Sequence, residues 1–174
     1  TLPWMSIGYE TQVPPMNILT FYNAIANNGV MVRPKFVKAA VKDGEVVKEY
    51  PTEVINPKIC SDHTLTQIRE ILRKVVSQGL AKPAGSKQFS VSGKTGTAQN
   101  RGHDHSVFMG FAPMNNPKIA IAVYVENGGW GADYGVPIGG LMMEQYLKGK
   151  LSPDSERRAA EMQARRIAYG LSSR

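Results

Sequence analysis

Residues 119–125 read Ile-Ala-Ile-Ala-Val-Tyr-Val, seven apolar side chains in succession, and no other stretch restricts the fold of the chain as much. A half-buried strand alternates apolar with polar residues, so a run that is apolar at both parities belongs to a strand covered on both faces. It is also the longest apolar run in the sequence, and it falls far short of the roughly 18 residues that a membrane span requires. Two strand-like segments precede it, Phe89 to Thr97 and His105 to Ala112, and Pro113-Met-Asn-Asn-Pro117 marks the turn between the second and the third. The pattern predicts consecutive strands of one sheet, with 119–125 the central strand and helices on its faces.

The remaining sequence supplies those helices. From Met16, the residues Ile18, Leu19, Tyr22, Ile25 and Ala26 form an amphipathic stripe that starts after Pro14-Pro15 and closes at Gly29. Thr64-x-x-Gln67 reads as a capping box ahead of Leu65, Ile68, Ile71, Leu72, Val75 and Val76, a helix that ends at Gly79. Asp43-Gly44 between two β-compatible runs of residues 36–50 predicts a tight type I′ hairpin. A glycine-rich loop, residues 128–135, leads into a helix around Ile138 to Lys148. From Ser155, Ala160, Ala164, Ile167, Ala168 and Leu171 keep helical spacing on an otherwise Arg-rich segment, read as a marginal, solvated helix. The predicted class is α/β (α+β), an antiparallel sheet with flanking helices: one domain over 1–149 and a basic tail over 150–174.

Composition excludes several functions. The 42% hydrophobic and 20% charged residues fit a globular chain rather than a disordered or fibrous one. Of the net +7, about +3 lies in the tail, and the body has no stripe of interleaved basic and aromatic residues, so no nucleic-acid partner is expected. The single cysteine, Cys60, reads as a small packing residue, and Met142-Met143 as core filler. His103-Asp104-His105 reads as a polar entry to a strand, and neither a metal nor another cofactor is expected.

The chemistry concentrates in Ser92-Gly93-Lys94-Thr95-Gly96-Thr97. A phosphate loop would need glycine five positions before Gly93, where Gln88 stands, and would open a helix rather than lead towards another strand. The alternative is Lys-Thr-Gly on a strand. The surrounding text fits it: Ser6-Ile7-Gly8-Tyr9-Glu10, residues 21–29 (Phe-Tyr-Asn-Ala-Ile-Ala-Asn-Asn-Gly), residues 91–99, His105-Ser106 through Gly110-Phe-Ala-Pro113, and residues 119–127. With these motifs in this order, residues 1–149 resemble the C-terminal part of the transpeptidase domain of class B penicillin-binding proteins. Within that resemblance, residues 1–99 are closer to division-type enzymes and 103–149 to elongation-type ones.

The resemblance implies a peptidoglycan D,D-transpeptidase that cross-links D-Ala-D-Ala stem peptides through a serine acyl-enzyme and binds β-lactams. It also implies work with the cell-wall synthesis machinery at the periplasmic face of the cytoplasmic membrane. The residues suit that task. Lys94 offers a fixed positive charge to a terminal carboxylate, with hydroxyls of Thr95 and Thr97 beside it. Gly96 lets a peptide approach the strand edge. By similarity, the backbone N–H of Thr97 is an oxyanion-hole donor. No serine in the chain has lysine three positions later, and Ser-x-Asn is absent, so the nucleophile and the membrane anchor are expected upstream of Thr1 and the chain alone is expected to be inactive. The competing readings are a non-catalytic binding module of the same fold and a β-lactamase-like or sensor relative.

Overall fold

The computed structural model describes residues 2–6, 8–9 and 11–167. Its frame is a three-stranded antiparallel sheet, β5 (Ser92–Ala98), β6 (His105–Ala112) and β7 (Ile119–Val125), in the order β5-β6-β7. The last two strands have the bounds expected from sequence, whereas the first begins at Ser92 rather than Phe89. The strand order corrects one expectation: among the described residues β6, not β7, is central. Periodicity reported correctly that both faces of β7 are covered, by α2 (Pro15–Ala26) and α4 (Gly135–Lys148). Coverage of faces and pairing of edges are independent properties, and only the first leaves a mark in the side-chain pattern.

Strand alternation divides the sheet into two faces. Phe108, Ala112, Ile121 and Val123 point to the α4 side, where they join Val136, Met143, Val91 and Val76 in the larger core. Phe111 points to the other side and packs with Ile25 of α2 and with Leu65 and Leu72 of α3 (Asp62–Ser77). Phe108 is fully buried in a niche made by absent side chains. A Cβ added to Gly93, Gly110 or Gly139 would lie 2.6, 2.8 or 2.5 Å from its ring, so β5, β6 and α4 can close on the ring only because each contributes a glycine. Met143 is buried as expected of core filler, but Met142 is 49% exposed, because adjacent helical residues face directions about 100° apart.

The helices start and stop for local reasons. α2 begins at Pro15, whose fixed φ suits a first turn, and reverses through Asn28 and Gly29, both at positive φ (53° and 83°). Arg69 of α3 donates to the carbonyls of Ile25 and Ala26 at 2.9 and 2.8 Å and to the Asn28 side chain. It places a cation where the α2 macrodipole is negative, and burial pulls its pKa down. The cap of α3 is Ser61 rather than Thr64: the Ser61 hydroxyl accepts the Thr64 N–H at 3.1 Å. Ser61 lies one turn before the expected box and belongs to the same class of N-cap residue as Thr64, but without a Glu or Gln three positions on it caps the helix through a single bond.

The Asp43-Gly44 hairpin forms as expected between β2 (Ala39–Lys42) and β3 (Glu45–Glu49), with both turn residues at positive φ. A second small pairing, β1 (Met31–Val32) with β4 (Val54–Asn56), and a short helix α1 (Leu2–Met5) carried too few residues to leave a periodic signal. α4 opens at Gly135, three residues before Ile138.

The tail helix α5 (Pro153–Ala164) starts at a Ser152 cap rather than at Ser155. Ile167 lies beyond its end, and Ala168 and Leu171 fall outside the described residues. It has no buried residue, yet it is tied down by polar contacts. Buried Glu144 of α4 accepts the Ser152 N–H at 2.8 Å and the Ser155 hydroxyl at 2.5 Å, while Arg158 donates to the Pro83 carbonyl at 2.7 Å. Burial pushes the Glu144 carboxyl up, but the donors from Ser155 and Ser152, with Arg158 nearby, outweigh it and hold its pKa below the usual carboxylate value.

Candidate active site

β5 pairs with β6 along one edge only, Ser92 with Phe111 through Ala98 with His105, and its other edge is unpaired among the described residues. Buried Ser92 and Gly93 anchor the strand beside the core, and the exposed Lys94 follows at once. Lys94 lies opposite Met109, on the α2/α3 face, whereas Thr95 and Thr97 lie opposite Phe108 and Ser106, on the α4 face. The Lys94 ammonium bends along the strand and donates to the Thr95 carbonyl at 2.9 Å and the Thr95 hydroxyl at 3.3 Å. An ammonium has three donors, so one remains for a ligand, and among the described residues no carboxylate forms a salt bridge with it. The strand thus brings together Lys94, Thr95, Gly96 and Thr97 on a free edge, a positive charge beside backbone groups available to an extended peptide.

Two neighbours of this strand, the segment around Tyr9 and the glycine-rich loop, reach it through contacts that the sequence alone does not report. The Tyr9 hydroxyl donates to the Gln99 side chain, 90 residues away, and the Trp4 ring meets the Tyr9 ring edge-on at 5.5 Å. The N-terminal segment therefore closes one end of β5. On the α4 face, the loop of residues 128–134 crosses behind the strand: the Gly131 N–H reaches the Thr97 hydroxyl at 3.4 Å, and a Cβ on Gly131 would lie 2.5 Å from the Gly96 carbonyl oxygen. Trp130 is 69% exposed, and Tyr134 lies under the Arg165 guanidinium at 5.4 Å. The His105 Nδ1 accepts the Asn127 N–H at 3.0 Å, and its ring lies 5.2 Å from that of Tyr124. Cys60 packs beside the Ile25–Leu65–Phe111 cluster.

An antiparallel sheet clad by helices on both faces, with Lys-Thr-Gly on a strand whose outer edge is unpaired among the described residues, is the arrangement of the penicillin-recognising transpeptidase fold. The family model described as the penicillin binding protein transpeptidase domain matches residues 3–144, and the chain belongs to that family. Among its curated relatives are the peptidoglycan D,D-transpeptidase MrdA of Haemophilus influenzae, 28% identical over 83% of this chain and 25% of the relative, and the stage V sporulation protein D of Bacillus subtilis, 30% identical over 82% of this chain and 24% of the relative. Among solved structures, the penicillin G acyl-enzyme complex of penicillin-binding protein A from M. tuberculosis is 26% identical, superposes with a TM-score of 0.73, and is matched over 84% of this chain and 35% of its own. The chain spans about a quarter of the length of these curated relatives.

Proposed function

We propose that residues 1–174 provide the substrate-binding strand of a class B peptidoglycan D,D-transpeptidase. The serine nucleophile of this enzyme lies outside these residues, in the part of the domain that carries Ser-x-x-Lys. The serine oxygen attacks the penultimate D-Ala carbonyl and gives up its proton to a base. The peptide C–N bond breaks, D-Ala leaves as the protonated amine, and an amine from a neighbouring stem peptide resolves the ester. In this reading Lys94 holds the terminal carboxylate with the Thr95 hydroxyl beside it, while the Thr97 hydroxyl turns to the Gly131 N–H behind the strand. The free edge of β5 pairs with the stem peptide, and the Thr97 N–H stabilises the oxyanion. β-Lactams occupy the same edge because they carry a carboxylate next to a reactive carbonyl. By the same reading the protein works with the cell-wall machinery at the periplasmic face of the membrane, held by an anchor outside these residues.

The observation that carries this reading is the Lys94 ammonium on an unpaired strand edge, free of carboxylate partners among the described residues. The relatives support it: one is a peptidoglycan D,D-transpeptidase, and another is seen as a penicillin G acyl-enzyme. The test is covalent labelling with a fluorescent penicillin, read after denaturing electrophoresis. Residues 1–174 alone should stay unlabelled, and the same residues behind an upstream Ser-x-x-Lys segment of the family should be labelled. Labelling of the short chain, or none of the long one when folded, overturns the proposal.

A further inference from the structure

We infer that Ser106 is a positioning residue for the oxyanion-hole end of β5, acting through the glycine-rich loop behind it; the inference rests on the reading of β5 as the substrate strand. Ser106 is fully buried, on β6, directly opposite Thr97. Its hydroxyl donates to the Trp130 carbonyl at 2.8 Å and accepts the Gly135 N–H at 2.9 Å. One side chain thereby fastens the loop to the sheet at Trp130 and again at Gly135, the first residue of α4. Between those two points Gly131 rests on the strand: a Cβ there would lie 2.5 Å from the Gly96 carbonyl oxygen and 2.8 Å from that of Val107. Its N–H reaches the Thr97 hydroxyl. The loop is closed on itself by Asp133 N–H to the Trp130 carbonyl and Val136 N–H to the Gly131 carbonyl, at 2.9 and 3.0 Å. The far end is strapped by Arg165, which donates to the Asp133 carbonyl at 2.8 Å.

The consequence is a braced strand. β5 has no sheet neighbour beyond it among the described residues, so its outer amides are free to tilt unless something holds it from behind. An oxyanion donor is effective when its direction is fixed before the charge develops. Ser106 meets no ligand in this arrangement; it sets the loop, the loop sets Gly96 and Thr97, and Thr97 presents the N–H.

The first test needs only the 174-residue chain. In Ser106→Ala, amide hydrogen exchange within residues 94–99 should quicken about 5- to 10-fold, the factor for one neutral hydrogen bond, while exchange in α3 stays within twofold. Uniform acceleration across the chain, or none in β5, overturns the inference. Should Ser106→Ala not fold, Thr97→Val and Thr97→Ser replace it: exchange of the Gly131 N–H should quicken in the first and not in the second, and equal behaviour overturns the inference. The second test measures acylation by penicillin in the polypeptide that includes the upstream serine segment. Ser106→Ala should lower the limiting acylation rate about 5- to 10-fold with the half-saturating penicillin concentration unchanged within twofold, because the ammonium that binds the carboxylate is untouched. Lys94→Ala separates the two levels. If it acylates like the parent, β5 is not the substrate strand and both readings fall; if it is slow and Ser106→Ala is not, only the brace falls.

Discussion

The Ser155 hydroxyl of α5 donates to the Glu144 carboxylate of α4 at 2.5 Å, and with the Ser152 N–H on the same carboxylate it ties the C-terminal helix to the transpeptidase fold. The carboxylate is also a negative charge at the α5 N-terminus. Because its pKa is held below the unfolded value, its contribution to stability is complete above the ordinary carboxylate pKa of about 4.3 and is lost as pH falls from there through the folded value. Glu144→Gln should therefore lower the melting temperature at pH 7, and the gap to the parent should narrow steadily below about pH 4.5. A gap that stays constant from pH 7 to pH 3 would show that ionisation of Glu144 contributes nothing.

In the proposed function Lys94 holds the ligand carboxylate, so replacing it by Ala should remove a charge-assisted bond worth about 1.5–3 kcal/mol and slow acylation by penicillin about 10- to 100-fold. Lys94→Arg should rescue only in part, since its planar fork directs donors differently from an ammonium. Lys87, exposed in the approach to the strand, is the control, and Lys87→Ala should acylate within about twofold of the parent. The measurement is the second-order rate constant in the polypeptide that includes the upstream serine segment.

Arg69 satisfies acceptors at the end of α2 that nothing else reaches among the described residues. Arg69→Met should cost about 1–3 kcal/mol in urea unfolding, and Arg69→Lys a smaller amount, because a lysine cannot span both carbonyls as the fork does.

β7 offers an apolar strand with an outer edge unpaired among the described residues and carries Tyr124 at 41% exposure, while Phe21 of α2 is 49% exposed. Such an edge recruits further strands or apolar surfaces. Residues 1–174 alone should bind a hydrophobic dye and scatter light above the monomer mass; a monodisperse monomer without dye binding would contradict this.

The parts of this molecule legible in its sequence are those decided locally. The hairpin at Asp43-Gly44 follows from two residues that tolerate positive φ, and the bounds of β6 and β7 follow from apolar runs ended by turn residues. Lys94 to Thr97 could be placed on a strand because the motif has a fixed spacing and its context fails as a phosphate loop. What stayed hidden depends on distance along the chain. That β6 lies between its neighbours is a matter of edge pairing, and periodicity describes faces only. Tyr9 meets Gln99, Ser106 meets Trp130 and Gly135, and Glu144 meets Ser155 through hydroxyls and carbonyls that any polar residue could carry. The Arg-rich tail looked like a solvated helix for a sound reason: its buried partner is a glutamate on another element.

Phe108 gives the far side of the sheet a say in the chemistry of the near side. Its ring touches the positions of Gly139 on α4 and of Gly93, the residue before Lys94, so a methyl group added on the helix would press through one rigid aromatic plate onto the strand that bears the ammonium. If β5 is the substrate strand, as proposed, its reactivity towards β-lactams is set by the packing behind the strand as well as by the groups in front of it.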